Sequence, residues 1–258
     1  MTMHTRPGAC ALLILALLIL APAVLSAQES FGTIRTTSFD VHHAKGVPEA
    51  DAQKVADYLE GQYQSINVQI GLELPKKVDV RIYDSVGRFL AEAGLKKPWR
   101  GAYYVRGILH VQPVQALTQR KIFENTLSYE CARVVLDPVG ERGCPLWLRE
   151  SYAVYHAGSF RSMTPPLGAK LTSFSDLNQD IHHYPDPPQR DDVQYMLGQT
   201  MDFLVGKYGE KKAMSVFKDF DGMKSVDTVF RRVFGEDLAV IEKSWAKHIE
   251  RHTAPFTK

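Results

Sequence analysis

Two glutamates, Glu130 and Glu150, sit in the stretch TLSYECARVVLDPVGERGCPLWLRESYAVYHAG, Thr126 to Gly158. It reads as two helices joined by a short turn, with a carboxylate projecting from each. Converging carboxylates can work as a paired acid and base, as in glycoside hydrolysis, or as oxygen ligands of a cation. The acid–base reading needs one carboxyl kept neutral. Arg133, three residues after Glu130, brings a fixed positive charge that is expected to hold both carboxylates ionised. On a solvated helix face the same two residues would be an ordinary i, i+3 charge pair. Tyr129 carries a phenol that either donates into this site or packs on a partly apolar helix.

The histidines are the other candidates for metal chemistry. His42–His43 and His182–His183 are adjacent pairs, and His110 and His156 stand alone. His248 and His252 are one helical turn apart near the chain end, without a carboxylate or cysteine beside them, and read as a solvated tail. His182 or His183 could swing toward Glu130 and Glu150 and rebuild a zinc site. Other chemistries find little support: there is no G-x-S-x-G elbow and no phosphate-binding glycine loop. Cys131 lies on an inner helix face, poorly placed for a nucleophile.

The elements that must position these residues follow from periodicity. Phe31–Val41 alternates weakly and predicts a first strand. From Pro48 to Gly71 the apolar residues Ala52, Val55, Ala56, Leu59, Tyr63 and Ile66 share one helix face. Val78–Ile82 alternates as a half-buried strand, and a short helix runs from Ser85 to Gly94. Gly101–Tyr104 and Ile108–Val111 predict paired strands around Arg106-Gly107. A helix is expected from about Thr118 to Leu136, ended by Asp137-Pro138 and Gly140, and another from Pro145 to Gly158. Ser159–Asp192 is rich in Pro, Gly and Ser and predicts a long loop, a lid or flank. Helices over 193–208, 210–220, 226–234 and 237–252 complete an α+β chain, with a small mixed or antiparallel sheet first and helices second. Trp147 and Tyr152 read as core and wall residues.

This order, together with Pro145-Leu146-Trp147-Leu148-Arg149-Glu150-Ser151-Tyr152-Ala153, resembles the peptidase MA-like family of gluzincin-type zinc peptidases. The family carries H-E-x-x-H on the first active-site helix and a motif like P-L-W-L-x-E-G-x-A at the start of the next. The resemblance implies a zincin-like fold in which two histidines one turn apart and the second-helix glutamate hold zinc, with the motif glutamate as general base. Here the first motif reads Tyr129-Glu130-Cys131-Ala132-Arg133. Both histidine positions are replaced, by Tyr129 and Arg133. Glu130 keeps the base position and Glu150 is the one retained ligand position. A catalytic zinc normally needs three protein ligands, so the expectation is a chain without cofactor, in which Arg133 hydrogen-bonds both carboxylates as an internal counter-ion. Such a chain would bind a peptide or protein in its cleft, or serve a structural role. The alternative is an active zinc peptidase with a displaced ligand set.

Composition fits that setting. The chain has 258 residues, 45% hydrophobic and 23% charged, with a net charge of +2. No basic excess points to nucleic acid. Residues 1–27 read as a secretory signal peptide: a basic start, an aliphatic run from Ala9 to Leu20, and small residues ending at Ala27. The expected location is periplasmic or secreted, with the domain spanning 28–258. Membrane attachment would follow only if the N-terminal segment stays uncleaved. In an oxidising compartment Cys131 and Cys144 are either a disulfide pair or two buried thiols.

Overall fold

The computed structural model describes residues 32–97, 100–166, 173–183 and 189–253. The export segment expected over residues 1–27 lies outside them, as do residues 184–188 of the Pro-rich stretch. Among the described residues no helix is long and apolar enough to cross a membrane.

The first strand expected over Phe31–Val41 is a hairpin instead. β1 (Gly32–Arg35) and β2 (Phe39–His43) pair antiparallel, Thr33 opposite His42. The chain reverses because Thr36 replaces ladder partners locally. Its N–H donates to Phe39 O at 2.9 Å, and its Oγ1 accepts the Phe39 N–H at 2.9 Å. Such hydroxyl-supported turns carry no glycine signature.

α1 (Glu49–Ile70) begins behind Pro48 and stops at Gly71, whose φ of 66° is the left-handed conformation that glycine adopts without strain. It buries Ala52, Val55, Ala56, Leu59, Ile66 and Ile70. This helix is the crossover that makes β2 and β3 (Val78–Ile82) parallel neighbours. α2 (Val86–Ala93) is capped by Ser85, whose Oγ accepts the Arg88 N–H at 3.4 Å. β4 (Ala102–Val105) and β5 (Ile108–Val111) then form a hairpin through Arg106 and Gly107, both at positive φ. β5 inserts beside β3, so the sheet is mixed, ordered β1-β2-β3-β5-β4, and β4 is left at an edge.

Helices make up the second half, and three boundaries differ from the sequence expectation. The helix expected from Thr118 is two: α3 (Val114–Gln119) and α4 (Phe123–Glu141). They are separated where Lys121 takes φ 55° and the Ile122 N–H reaches back to Leu117 O at 3.0 Å. Second, α4 continues through Asp137, Pro138 and Gly140 to Glu141. Proline's φ is already helical, and one turn from the helix end only one backbone bond is forfeited. Third, the stretch 159–192 is not one loop. α5 (Leu146–Ala157) is followed by a 3-10 turn at Ser159–Ser162, then α6 (Phe174–His183), and α7 begins at Gln189 and runs to Tyr208. Phe174 explains α6: its ring stacks on Trp147 at 4.0 Å between centroids and lies 4.7 Å from Trp245. Asn178 Oδ1 adds a hydrogen bond from the Trp147 N–H at 3.3 Å. α8 (Glu210–Ser215), α9 (Val226–Phe234) and α10 (Leu238–Thr253) close the chain. The architecture is α+β, with α4 in contact with α1, β4 and α5, and α5 packed in turn on α7.

Candidate functional site

α4 and α5 lie along one another, and α4 also touches β4. Glu130 on α4 and Glu150 on α5 are only 2% and 4% exposed. This is no solvated charge pair. Arg133 lies one turn beyond Glu130 and reaches both: Nη1 donates to Glu130 Oε2 at 2.9 Å and Nε to Glu150 Oε1 at 3.1 Å. Tyr129 Oη donates to the other oxygen of Glu150. Glu130 Oε2 also accepts the Tyr104 backbone N–H at 3.0 Å. That donor belongs to edge strand β4, so one carboxylate ties the sheet edge to α4. The Arg133 guanidinium lies 5.8 Å from the ring centres of both Tyr103 and Tyr129.

Burial raises the pKa of Glu130, against the pull of Arg133 and Arg100 and of the Tyr104 N–H. For Glu130 desolvation outweighs the counter-ion. Tyr104, on the strand beside it, is pushed up to about 12 by burial and by Asp137.

A family-type zinc does not fit this arrangement. The two positions that would supply imidazoles carry a phenol bonded to Glu150 and a guanidinium bonded to both acids. Arginine cannot give up its proton and coordinate, and its charge opposes a dication. Both oxygens of Glu150, the ligand position that the resemblance implies, are already acceptors.

The other candidates are dispersed. His42 faces Thr33 and Asp79, His43 Nδ1 lies 3.3 Å from Val47 O, and His110 Nδ1 is 2.7 Å from Tyr83 Oη. His156 pairs with Gln62 at 2.8 Å. His248 is not a solvated tail: it packs on Phe203 and is hydrogen-bonded to Gln199 at 3.1 Å. His182 and His183 end α6, and their side chains lie outside the description. Among the described residues no three His, Cys, Asp or Glu side chains converge. Cys131 and Cys144 are free buried thiols, not a disulfide. The first donates to Leu59 O and the second lies near Pro145 O. Burial raises both thiol pKa values, which leaves neither nucleophilic. Trp147 and Tyr152 are buried in the core.

Beside Glu130 opens a cleft of about 250 Å³, lined by β4, α4 and the start of α7 and including Tyr129, Asn125 and Gln194. Arg100 and Arg120 also line it. Sequence reasoning missed these two arginines. They flank the hairpin and end α3 without a motif, and only the fold brings them together.

No family model matches the sequence, and no curated protein matches it. Among solved structures the chain is similar to an M1 zinc metallopeptidase mutant from Deinococcus radiodurans bound to a Tyr-Ser-Ala substrate, with 14% identity and a TM-score of 0.40. The match covers 90% of this chain and 53% of that one, so this chain spans about half the length of that protein.

Proposed function

We propose that this chain is an exported relative of the gluzincin peptidases that works without zinc and without hydrolysis, holding a peptide or an extended protein segment in its cleft. The observation that carries the reading is Arg133, bonded at once to Glu130 and Glu150 where the family has a histidine ligand. Its charge replaces that of the metal, so the two buried acids keep a counter-ion while the water-activating centre is gone. Edge strand β4 forms one wall of the cleft, and a sheet edge offers a ladder to an extended chain. Glu130 already holds the Tyr104 N–H of that edge, which shortens the ladder open to an extended chain, since Tyr103 and Val105 face β5.

The test is a pool of internally quenched peptides incubated with the purified chain, with and without added zinc. Retention of intact peptides and no cleavage in either condition is the expected result. Cleavage that a chelator abolishes would overturn it in favour of a peptidase with a displaced ligand set. Absence of both retention and cleavage would leave the fold a structural role only.

A further inference from the structure

We propose that Oε1 of Glu130 is the recognition atom of the cleft, and that it accepts the N–H of an uncharged peptide unit inside an extended segment rather than a charged chain end. This rests on the peptide-binding reading above and names the ligand group that the cleft selects.

Glu130 is 2% exposed, yet it lines the cleft. Its two oxygens are used unequally. Oε2 accepts both the Tyr104 N–H at 3.0 Å and Arg133 Nη1 at 2.9 Å. Among the described residues no donor reaches Oε1. With Oε2 held by strand and arginine, Oε1 is the atom left to face the cavity. A buried acceptor without a donor is costly, and a ligand that supplies the donor removes that cost.

Charge decides which donor fits. An ammonium on Oε1 would sit roughly 5–6 Å from a guanidinium already bonded to the other oxygen, with little water to screen the repulsion. A ligand carboxylate would meet Glu130 itself. The two arginines of the cleft are engaged by its wall. Arg120 Nη1 donates to Gln112 Oε1 at 3.3 Å, Gln112 Nε2 donates to Arg100 O at 2.7 Å, and the Arg100 guanidinium lies 4.7 Å from the centre of the Tyr103 ring. Asn125, Thr126, Ser159 and Gln194 add neutral amides and hydroxyls to the lining, and Ile122 and Met163 add apolar surface. A neutral donor suits this setting.

The strand says which neutral donor. The Gln112 N–H donates to Gly101 O at 3.0 Å, and Tyr103 and Val105 lie opposite His110 and Ile108. The alternate residues, Ala102 and Tyr104, therefore turn their N–H and C=O groups away from β5. The bond from the Tyr104 N–H places Glu130 on that outer edge. The carboxylate is thus interposed, one oxygen on the strand and the other toward whatever lies along it. An extended segment running beside β4 brings a backbone N–H to that position.

The test is an amide-to-ester scan. Octapeptides acetylated at one end, amidated at the other and free of charged residues are passed over the immobilised full chain at about pH 8.5, to favour the carboxylate form of Glu130 against its burial. A retained member is remade with each backbone amide in turn replaced by an ester, which deletes one N–H without adding bulk. A hydrogen bond to a charged acceptor is worth about tenfold or more in affinity, so one ester should weaken binding to the parent chain by that factor. In E130Q the two donors on Oε2 still require an oxygen, so the new amide turns its NH2 toward the cleft and offers a donor in place of an acceptor. The same ester should then cost less than about twofold. No ester costing more than about twofold on the parent would overturn the Glu130 contact and leave peptide binding standing. Tighter retention of the same peptides with free ends would overturn the choice of an uncharged unit. No retention of either form would overturn both this proposal and the peptide-binding reading. The ester scan on the parent needs no variant, so it decides the question even if E130Q does not fold.

Discussion

Replacing Arg133 by methionine keeps the aliphatic stem and removes the cation bonded to both Glu130 and Glu150. Those carboxylates are 2% and 4% exposed, so water cannot take over the lost bonds at 2.9 and 3.1 Å. Breaking a buried pair from one side costs about 3–5 kcal/mol, because the abandoned charges stay desolvated. Against a total stability of about 5–15 kcal/mol for a domain, that brings the chain close to unfolding. The pH dependence gives a second handle. Glu130 already has a raised pKa from burial, and losing Arg133 raises it further. A carboxyl whose folded pKa exceeds its unfolded value of about 4.3 carries no penalty below that value. The penalty grows as pH rises toward the folded pKa. R133M should therefore fall furthest behind the parent near about pH 7 and regain ground toward about pH 4. Urea unfolding at several pH values, with the slopes checked for constancy, measures this. The triple variant E130Q/R133M/E150Q should recover most of the loss. A deficit below about 1 kcal/mol and flat with pH, the behaviour of solvated pairs, would refute the reasoning.

Three other outcomes are expected. The double variant Y129H/R133H places two imidazoles one turn apart opposite Glu150, and should retain about one zinc per chain by elemental analysis, the ligand number a catalytic site needs. G198A should lower stability by about 1–3 kcal/mol in thermal unfolding, because a Cβ there would run into the Phe160 ring seated on α7. His248 is pushed down to about 4 by burial and then by His252 and Arg251, with Asp202 opposing. A histidine with a depressed folded pKa favours the fold above its unfolded value and loses that contribution as pH falls. The loss should run between about 6.5 and about 4, and H248Q should shrink it in unfolding curves taken across that range.

The parts of the molecule that were legible in the sequence are those where local chemistry and tertiary packing agree. Pro48 and Gly71, Ser85 and Gly94, and Pro145 and Gly158 bracket α1, α2 and α5 because their backbone preferences are the same in isolation and in the fold. The link from Arg133 to Glu130 was readable from i, i+3 spacing, and its reach to Glu150 followed from the motif at the start of α5. What escaped was set by distant partners. The turn at Thr36 is held by a hydroxyl, the break at Lys121 carries no glycine, and α6 exists because Phe174 finds Trp147 and Trp245. The balance on Glu130 escaped for a related reason: sequence shows the neighbouring charge, whereas burial comes from β4 and α5 closing over it. Arg100 and Arg120 had no signature at all, since the residue relating them, Gln112, is an ordinary amide until it is buried.

The most direct measurement is the zinc content of the purified chain after incubation with zinc and desalting. With Arg133 bonded to Glu130 and Glu150, the account predicts no retained zinc. About one zinc per chain would contradict it and show that the ligand set has moved rather than disappeared.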